Sequence, residues 1–207
     1  MTGNAFHKSL AALALALAAA PVAYAQEVKP MFKAGFDFGG DTIVSVGVAS
    51  STGSSSDSIK ANEGVYIGGG ASIVTDAKDI EVQVAISYKF SGITAGNGDV
   101  DWKVLPLDVL AFYCQPKFRV GGGLTYHLNP TLKGSGAASD LHANYKDALG
   151  FVLQADYRFS ERAALGARFT SVNYKAESVQ ASSTIVATTP ATNPKSSGLG
   201  VTFSMSF

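Results

Sequence analysis

One cysteine, one tryptophan and three methionines stand among 207 residues. A single cysteine excludes a disulfide framework and a cysteine-built zinc site. Charge is scarce too, at 15% of residues, where an ordinary soluble domain carries roughly 25%. Sixteen basic and sixteen acidic side chains cancel, so no field draws nucleic acid or an acidic substrate. The run from Leu10 to Ala20 is eleven residues of Leu and Ala alone, about half of what a bilayer requires. No later segment approaches the roughly 18 apolar residues of a membrane helix. No group of His, Asp or Glu has metal-ligand spacing. The glycine runs 68–70 and 121–123 open no helix and are not phosphate loops; they read instead as room for bulky neighbours in a narrow interior. No cofactor is expected.

An address and an alternation are there instead. Lys8, the Leu/Ala run and Ala23-Tyr24-Ala25 form a basic region, an apolar region and a small-x-small cleavage site. They predict a signal peptide over 1–25, with Ala23 and Ala25 marking the cut, and a mature domain over 26–207. From Phe32 onward apolar residues recur with period two, the period of strands rather than of helices. Ile80, Val82, Val84, Ile86, Tyr88 and Phe90 alternate with Glu81, Gln83, Ala85, Ser87 and Lys89. The pattern predicts eight strands, near 32–48, 63–75, 80–90, 102–113, 118–128, 148–159, 163–175 and 197–207. Short turns fall at 76–79, 114–117 and 160–162. Longer connectors at 49–62, 91–101, 129–147 and 176–196 are rich in Ser, Gly, Asn and Thr and read as loops, the last of them mobile.

Side chains opposite each other in a hairpin must share a face. Pairing Ile80 with Thr75 sets Val82 against Ile73 and Tyr88 against Ile67. Around the second turn Tyr113 is expected against Phe118, and around the third Tyr157 against Leu165. Each hairpin then has one apolar face. The seventh strand changes phase between Phe169 and Val172, which predicts a bulge near Thr170-Ser171. In the fourth strand Leu110 and Phe112 fall on the polar face.

Alternation alone does not say which side points in. A lipocalin-like carrier buries its apolar face; an outer-membrane barrel turns it to lipid. The polar face carries Lys33, Asp37, Glu81, Gln83, Lys89, Arg119, Asp156, Arg158 and Arg168, both signs mixed, as a closed polar interior needs. Aromatic residues crowd the strand ends of the apolar face: Phe32, Phe90, Tyr113, Phe118, Phe159 and Phe207. Both features favour lipid.

The last strand, Leu199-x-Val201-x-Phe203-x-Met205-x-Phe207, resembles the C-terminal signal of bacterial outer-membrane barrels. With the leader and the rhythm of short turns and long loops, the mature chain resembles small eight-stranded barrels of the OmpX and opacity-protein type. The resemblance implies an all-β, eight-stranded antiparallel up-and-down transmembrane β-barrel in a Gram-negative outer membrane. It implies contact with outer-membrane lipid and lipopolysaccharide, and recognition of the last strand by the barrel-assembly machinery. Eight strands leave an interior that side chains can fill, so a plug is expected rather than a pore.

Glu81, Lys89, Asp108, Arg119, Asp156, Arg158 and Arg168 are expected to point inward and form a polar network, with Asp156 and Arg168 diagonal neighbours across the third hairpin. A proton or ion path is the functional reading of such a set; a structural network that avoids stranded charge is the simpler one. His127 and His142, with Ser139 and Asp140, raise a Ser–His–acid lipid hydrolase of the lipid A deacylase kind. Nothing in their spacing orients a base on a nucleophile, and no Gly-x-Ser-x-Gly elbow is present. Cys114, in a short turn, reads as incidental. The expected role is therefore non-enzymatic: envelope integrity or surface interaction through four external loops, whose partner the sequence does not name.

Overall fold

A computed structural model describes residues 25–50, 53–75, 78–95, 98–181 and 189–207. The leader expected over 1–25 falls, except for Ala25, outside the described residues. Twelve strands follow in chain order: β1 (Ala25–Gly39), β2 (Thr42–Ser50), β3 (Gly53–Lys60), β4 (Gly64–Thr75), β5 (Ile80–Ala95), β6 (Gly98–Cys114), β7 (Phe118–Gly134), β8 (His142–Tyr145), β9 (Ala148–Arg158), β10 (Ala163–Asn173), β11 (Ala176–Gln180) and β12 (Lys195–Ser206). Eight of them close a barrel in the order β1-β4-β5-β6-β7-β9-β10-β12, each antiparallel to its neighbours, with β12 returning to β1. Closure pairs every wall strand on both sides, so no sheet edge meets lipid.

The alternation sets the faces. Phe36, Ile67, Ile86, Tyr113, Val120, Leu153, Leu165 and Val201 point outward and are exposed. On β5 the apolar wall from Ile80 to Phe90 rises about 25 Å once strand tilt is allowed for, the height of a bilayer core. The outward face is thus the apolar one, opposite to a lipocalin. Inward glycines answer inward bulk: Phe112 lies opposite Gly121 and Leu110 opposite Gly123. A Cβ on Gly121 would stand 2.1 Å from the Ala111 carbonyl oxygen and 2.7 Å from the Phe112 Cα, so even alanine is too large there.

Several expectations are corrected. The strand expected at 32–48 is two strands: the chain turns at Gly39 and Gly40, at φ +99° and +84°, where residues with a Cβ are strained. β2 then leaves the wall and pairs with β3, inside the connector read as a loop. The first and third hairpins pair Val82 with Ile73 and Tyr157 with Leu165. The second pairs Tyr113 with Val120, two residues beyond the expected Phe118; a slip of two keeps every side chain on its face. No bulge interrupts β10, whose register with β9 and β12 is continuous. The irregularity lies in β7, where Leu105 pairs with Leu128 but Lys103 with Thr131. The extra residue sits at Asn129-Pro130, and Asn129 takes φ +47°.

Candidate functional site: the filled interior and its cap

Five cross-strand ion pairs stack along the lumen in three tiers. Nearest the short turns, Arg119 Nε donates to Asp156 Oδ2 at 2.6 Å, and its Nη1 donates to Glu81 Oε1 and Oε2 at 2.9 and 2.8 Å. Its Nη2 reaches Ser204 at 2.6 Å, and its guanidinium lies 4.7 Å from the Phe112 ring centroid. In the middle, Asp108 takes a bidentate contact from Arg168 at 2.9 and 3.1 Å and a third bond from Lys33 at 2.6 Å. In the upper tier, Lys89 donates to Asp37 at 2.8 Å and to the Asn62 carbonyl at 2.6 Å. Four cations thus face four anions, all buried. A low-dielectric lumen tolerates charge only when it is paired in this way.

Of the seven residues expected in this network, Glu81, Lys89, Asp108, Arg119, Asp156 and Arg168 lie in it, while Arg158 does not. Arg158 is the last inward position of β9, and from there its guanidinium reaches the carbonyl oxygens of Gln115 and Glu161 at the turns. Asp156 and Arg168 do not pair with each other either, although they are diagonal across β9 and β10. Asp156 bonds Arg119, its direct partner on the adjacent β7, whereas Arg168 reaches over the lumen to Asp108 on β6, because in so narrow a barrel a long side chain meets the opposite wall. Lys33 and Asp37, visible on the polar face, complete the charge balance. Asn62, from the segment read as a loop, was missed; it lies beside Gly40, whose turn brings that segment back over the lumen. Cys114 ends β6 rather than sitting in the turn, and its thiol contacts Glu81 Oε2 at 3.7 Å.

The remaining space is small. A gap of about 10 Å³ lies among Lys33, Asp37, Tyr66, Lys89 and Asp108, the size of a water rather than a solute. A wider vestibule of about 400 Å³ opens at the turn end, under Arg119 and beside Arg158 and Arg162.

The opposite end carries an apolar cap. Ile43, Val44 and Ile59 of the β2–β3 hairpin pack with Trp102, Leu132, Leu141, Tyr145, Val172 and Tyr174 into one buried cluster. Trp102 is fully buried and stands edge-on to Tyr145 and Tyr174 at 5.5 and 5.6 Å. Residues after 188 stitch the cap together: Ala191 N donates to the Ile43 carbonyl and Ala176 N to the Thr192 carbonyl. The described parts of connector 176–196 are therefore bonded structure, not the mobile loop expected. His127 closes the cap from below, sharing a hydrogen bond with the Tyr174 hydroxyl. His142 is half-buried on β8 and Ser139 exposed. Among the described residues no hydrogen bond links Ser139, Asp140 and either histidine, so the hydrolase arrangement is not assembled.

Burial pushes the Tyr145 phenol up to about 12, while in an unfolded chain it ionises near pH 10. A group raised on folding contributes its stability below the unfolded value and loses it as pH climbs through the folded one. The cap is therefore expected to loosen between about pH 10 and 12. Tyrosinate absorbance and protease cleavage after Lys146 or Lys175 should rise together in that window. Loosening already at pH 8 would show that Tyr145 does not control it.

No family model and no curated protein matches this chain. Solved structures do. Ail, the attachment invasion locus protein of Yersinia pestis, crystallised with the heparin analogue sucrose octasulfate, is 11% identical, with 87% of this chain and 99% of Ail covered and a TM-score of 0.52. Neisserial surface protein A is 14% identical, with 87% and 97% covered and a TM-score of 0.45. The fold is that of the small eight-stranded outer-membrane barrels, the OmpX and opacity-protein class.

Proposed function

We propose that this protein is a side-chain-filled barrel of a Gram-negative outer membrane, without catalytic activity, that holds a rigid cap on the cell surface for envelope integrity or contact with a partner. The observation that carries this reading is the division of faces: an apolar belt outside and four buried cations matched by four buried anions within. Lipid and lipopolysaccharide are the partners of the belt, and the assembly machinery is the partner of the last strand during insertion.

The mature protein should fractionate with the outer membrane, stay soluble only in detergent, and migrate differently on a gel before and after boiling. Recovery as a detergent-free periplasmic monomer would overturn the reading. In planar bilayers the purified protein should give no stable conductance on the scale of a general porin, because the tiers of Arg119, Asp108 and Lys89 cross the lumen. Reproducible porin-scale currents would move the function to transport.

A further inference from the structure

One lumen side chain reaches past its ion pair into the cap. The Lys89 ammonium has three N–H groups and three acceptors: Asp37 Oδ2 at 2.8 Å, the Asn62 carbonyl at 2.6 Å and Asn62 Oδ1 at 3.2 Å. Two of the three thus belong to Asn62, which follows β3 and is fully buried. The rest of Asn62 is bonded as well. Its N–H donates to the Gly39 carbonyl at 3.2 Å and its Nδ2 to the Phe38 carbonyl at 3.3 Å, while Oδ1 also accepts the Ser196 hydroxyl at 3.2 Å.

Asn62 closes the base of the β2–β3 hairpin. The chain leaves the wall at Gly39-Gly40 and returns at Gly64. Between these points β2 and β3 pair with each other and, among the described residues, with no wall strand. The hairpin is held by its apolar residues in the Trp102 cluster, by backbone bonds of Asp41 and Ile43 with Lys195 and Ala191, and by Asn62. The bonds from Lys89 come from the lumen, and their donor is charged, which makes such bonds about twice as strong as neutral ones. Undocking strands no ion, because Lys89 keeps Asp37 when Asn62 moves away. A docked and a released hairpin therefore both leave the lumen charges paired. Resting on the reading above, in which the cap is what the barrel displays, we propose that Lys89 is a clasp that couples the upper ion pair to the position of the β2–β3 hairpin. A change at the pair releases the hairpin, and a partner that draws the hairpin outward takes two of its three acceptors from Lys89, since such coupling is reciprocal.

The test uses the folded full barrel in detergent. It compares trypsin cleavage after Lys60, the last residue of β3, with cleavage after Lys146 and Lys175, which lie in the cap but outside the hairpin. Lys89→Met/Asp37→Asn removes the pair without stranding a charge. It should speed cleavage after Lys60 about tenfold or more, the scale of charge-assisted bonds lost, and change Lys146 and Lys175 by less than about threefold, since only the hairpin opens. Asn62→Ala leaves the ion pair and the backbone carbonyl in place and should speed cleavage after Lys60 by a smaller factor. Lys33→Met/Asp108→Leu/Arg168→Met, which removes the tier below, should leave cleavage after Lys60 as slow as in the unmodified protein. Unchanged cleavage after Lys60 in Lys89→Met/Asp37→Asn would overturn the clasp. An equal rise at all three lysines would overturn it too, because the cap would then loosen as a whole, and so would an equal rise on removing the tier below. Were Lys89→Met/Asp37→Asn not to fold, Asn62→Ala decides alone, and no rise after Lys60 counts against the clasp. Cleavage needs no partner, so the clasp is decided separately from the display role.

Discussion

Replacing Asp108 by alanine should destabilise the barrel by about 3–5 kcal/mol, the cost of breaking a buried ion pair from one side. Asp108 is the only acid bonded to Lys33 and to Arg168 among the described residues, and both cations are buried. The variant leaves two charges in the lumen with no acid bonded to them, only the Thr170 hydroxyl at 3.1 Å from Arg168 Nε and the Tyr66 ring, whose centroid lies 5.5 Å from Lys33 Nζ and 5.9 Å from the Arg168 guanidinium. Lys33→Met/Asp108→Leu/Arg168→Met removes the whole group, leaves no charge stranded, and should cost less than Asp108→Ala alone. Urea unfolding in detergent, followed by the gel form, measures both. A loss below about 1 kcal/mol for Asp108→Ala, the scale of an exposed pair, would mean that water reaches the tier and that the lumen is not filled.

That tier also marks how far sequence reasoning reaches. Which residues face inward was legible, because a period of two is decided strand by strand: Glu81, Lys89, Arg119 and Asp156 alternate with apolar neighbours whatever the rest of the chain does. Which inward residues touch was not. Asp108 and Arg168 are 60 positions apart, and their meeting depends on how tightly eight strands curl. Local pairing pointed Arg168 toward Asp156, its diagonal neighbour, whereas the narrow lumen gives Arg168 a partner on the far wall and Asp156 bonds Arg119, directly opposite it on β7.

The cap was hidden for a different reason. Where the wall leaves lipid, the two faces exchange character. On β6 the outward residues pass from Tyr113, Ala111, Val109, Leu107 and Leu105 to Lys103, Asp101 and Asp99, while the inward ones pass from Asp108 to Val104, Trp102 and Val100. β10 does the same from Phe169 outward and Arg168 inward to Asn173 outward and Tyr174 inward. Read as one continuous strand in one environment, that exchange looks like a slipped register, and it produced the bulge expected at Thr170-Ser171. Read as a strand crossing from lipid into water, it marks the membrane boundary and a second, apolar core above it. The signal was present in the alternation of Val100, Trp102, Asp101 and Lys103.

Because the cap is a separate core, damage to it should leave the barrel standing. Trp102→Ala removes the largest side chain of the cluster, together with its edge contacts to Tyr145 and Tyr174. A truncation of that size in a core costs about 3–5 kcal/mol. The loss falls on the β2–β3 hairpin, a sheet of its own, on β8 and β11, which join the wall only where β8 pairs with the upper end of β7 from Thr131 to Lys133, and on the segment from 189 to 194. Local opening draws on the stability of the unit that opens, not on that of the whole molecule. Trypsin added to intact cells or to vesicles should therefore cut after Lys60, Lys146 or Lys175 at least ten times faster in Trp102→Ala than in the unmodified protein, since each 1.4 kcal/mol is about tenfold in the open population. The difference in gel mobility on boiling should persist, because the ion-paired lumen below is untouched. Loss of that difference in Trp102→Ala, together with the cap, would show that barrel and cap unfold as one unit and that the upper core helps to hold the wall closed.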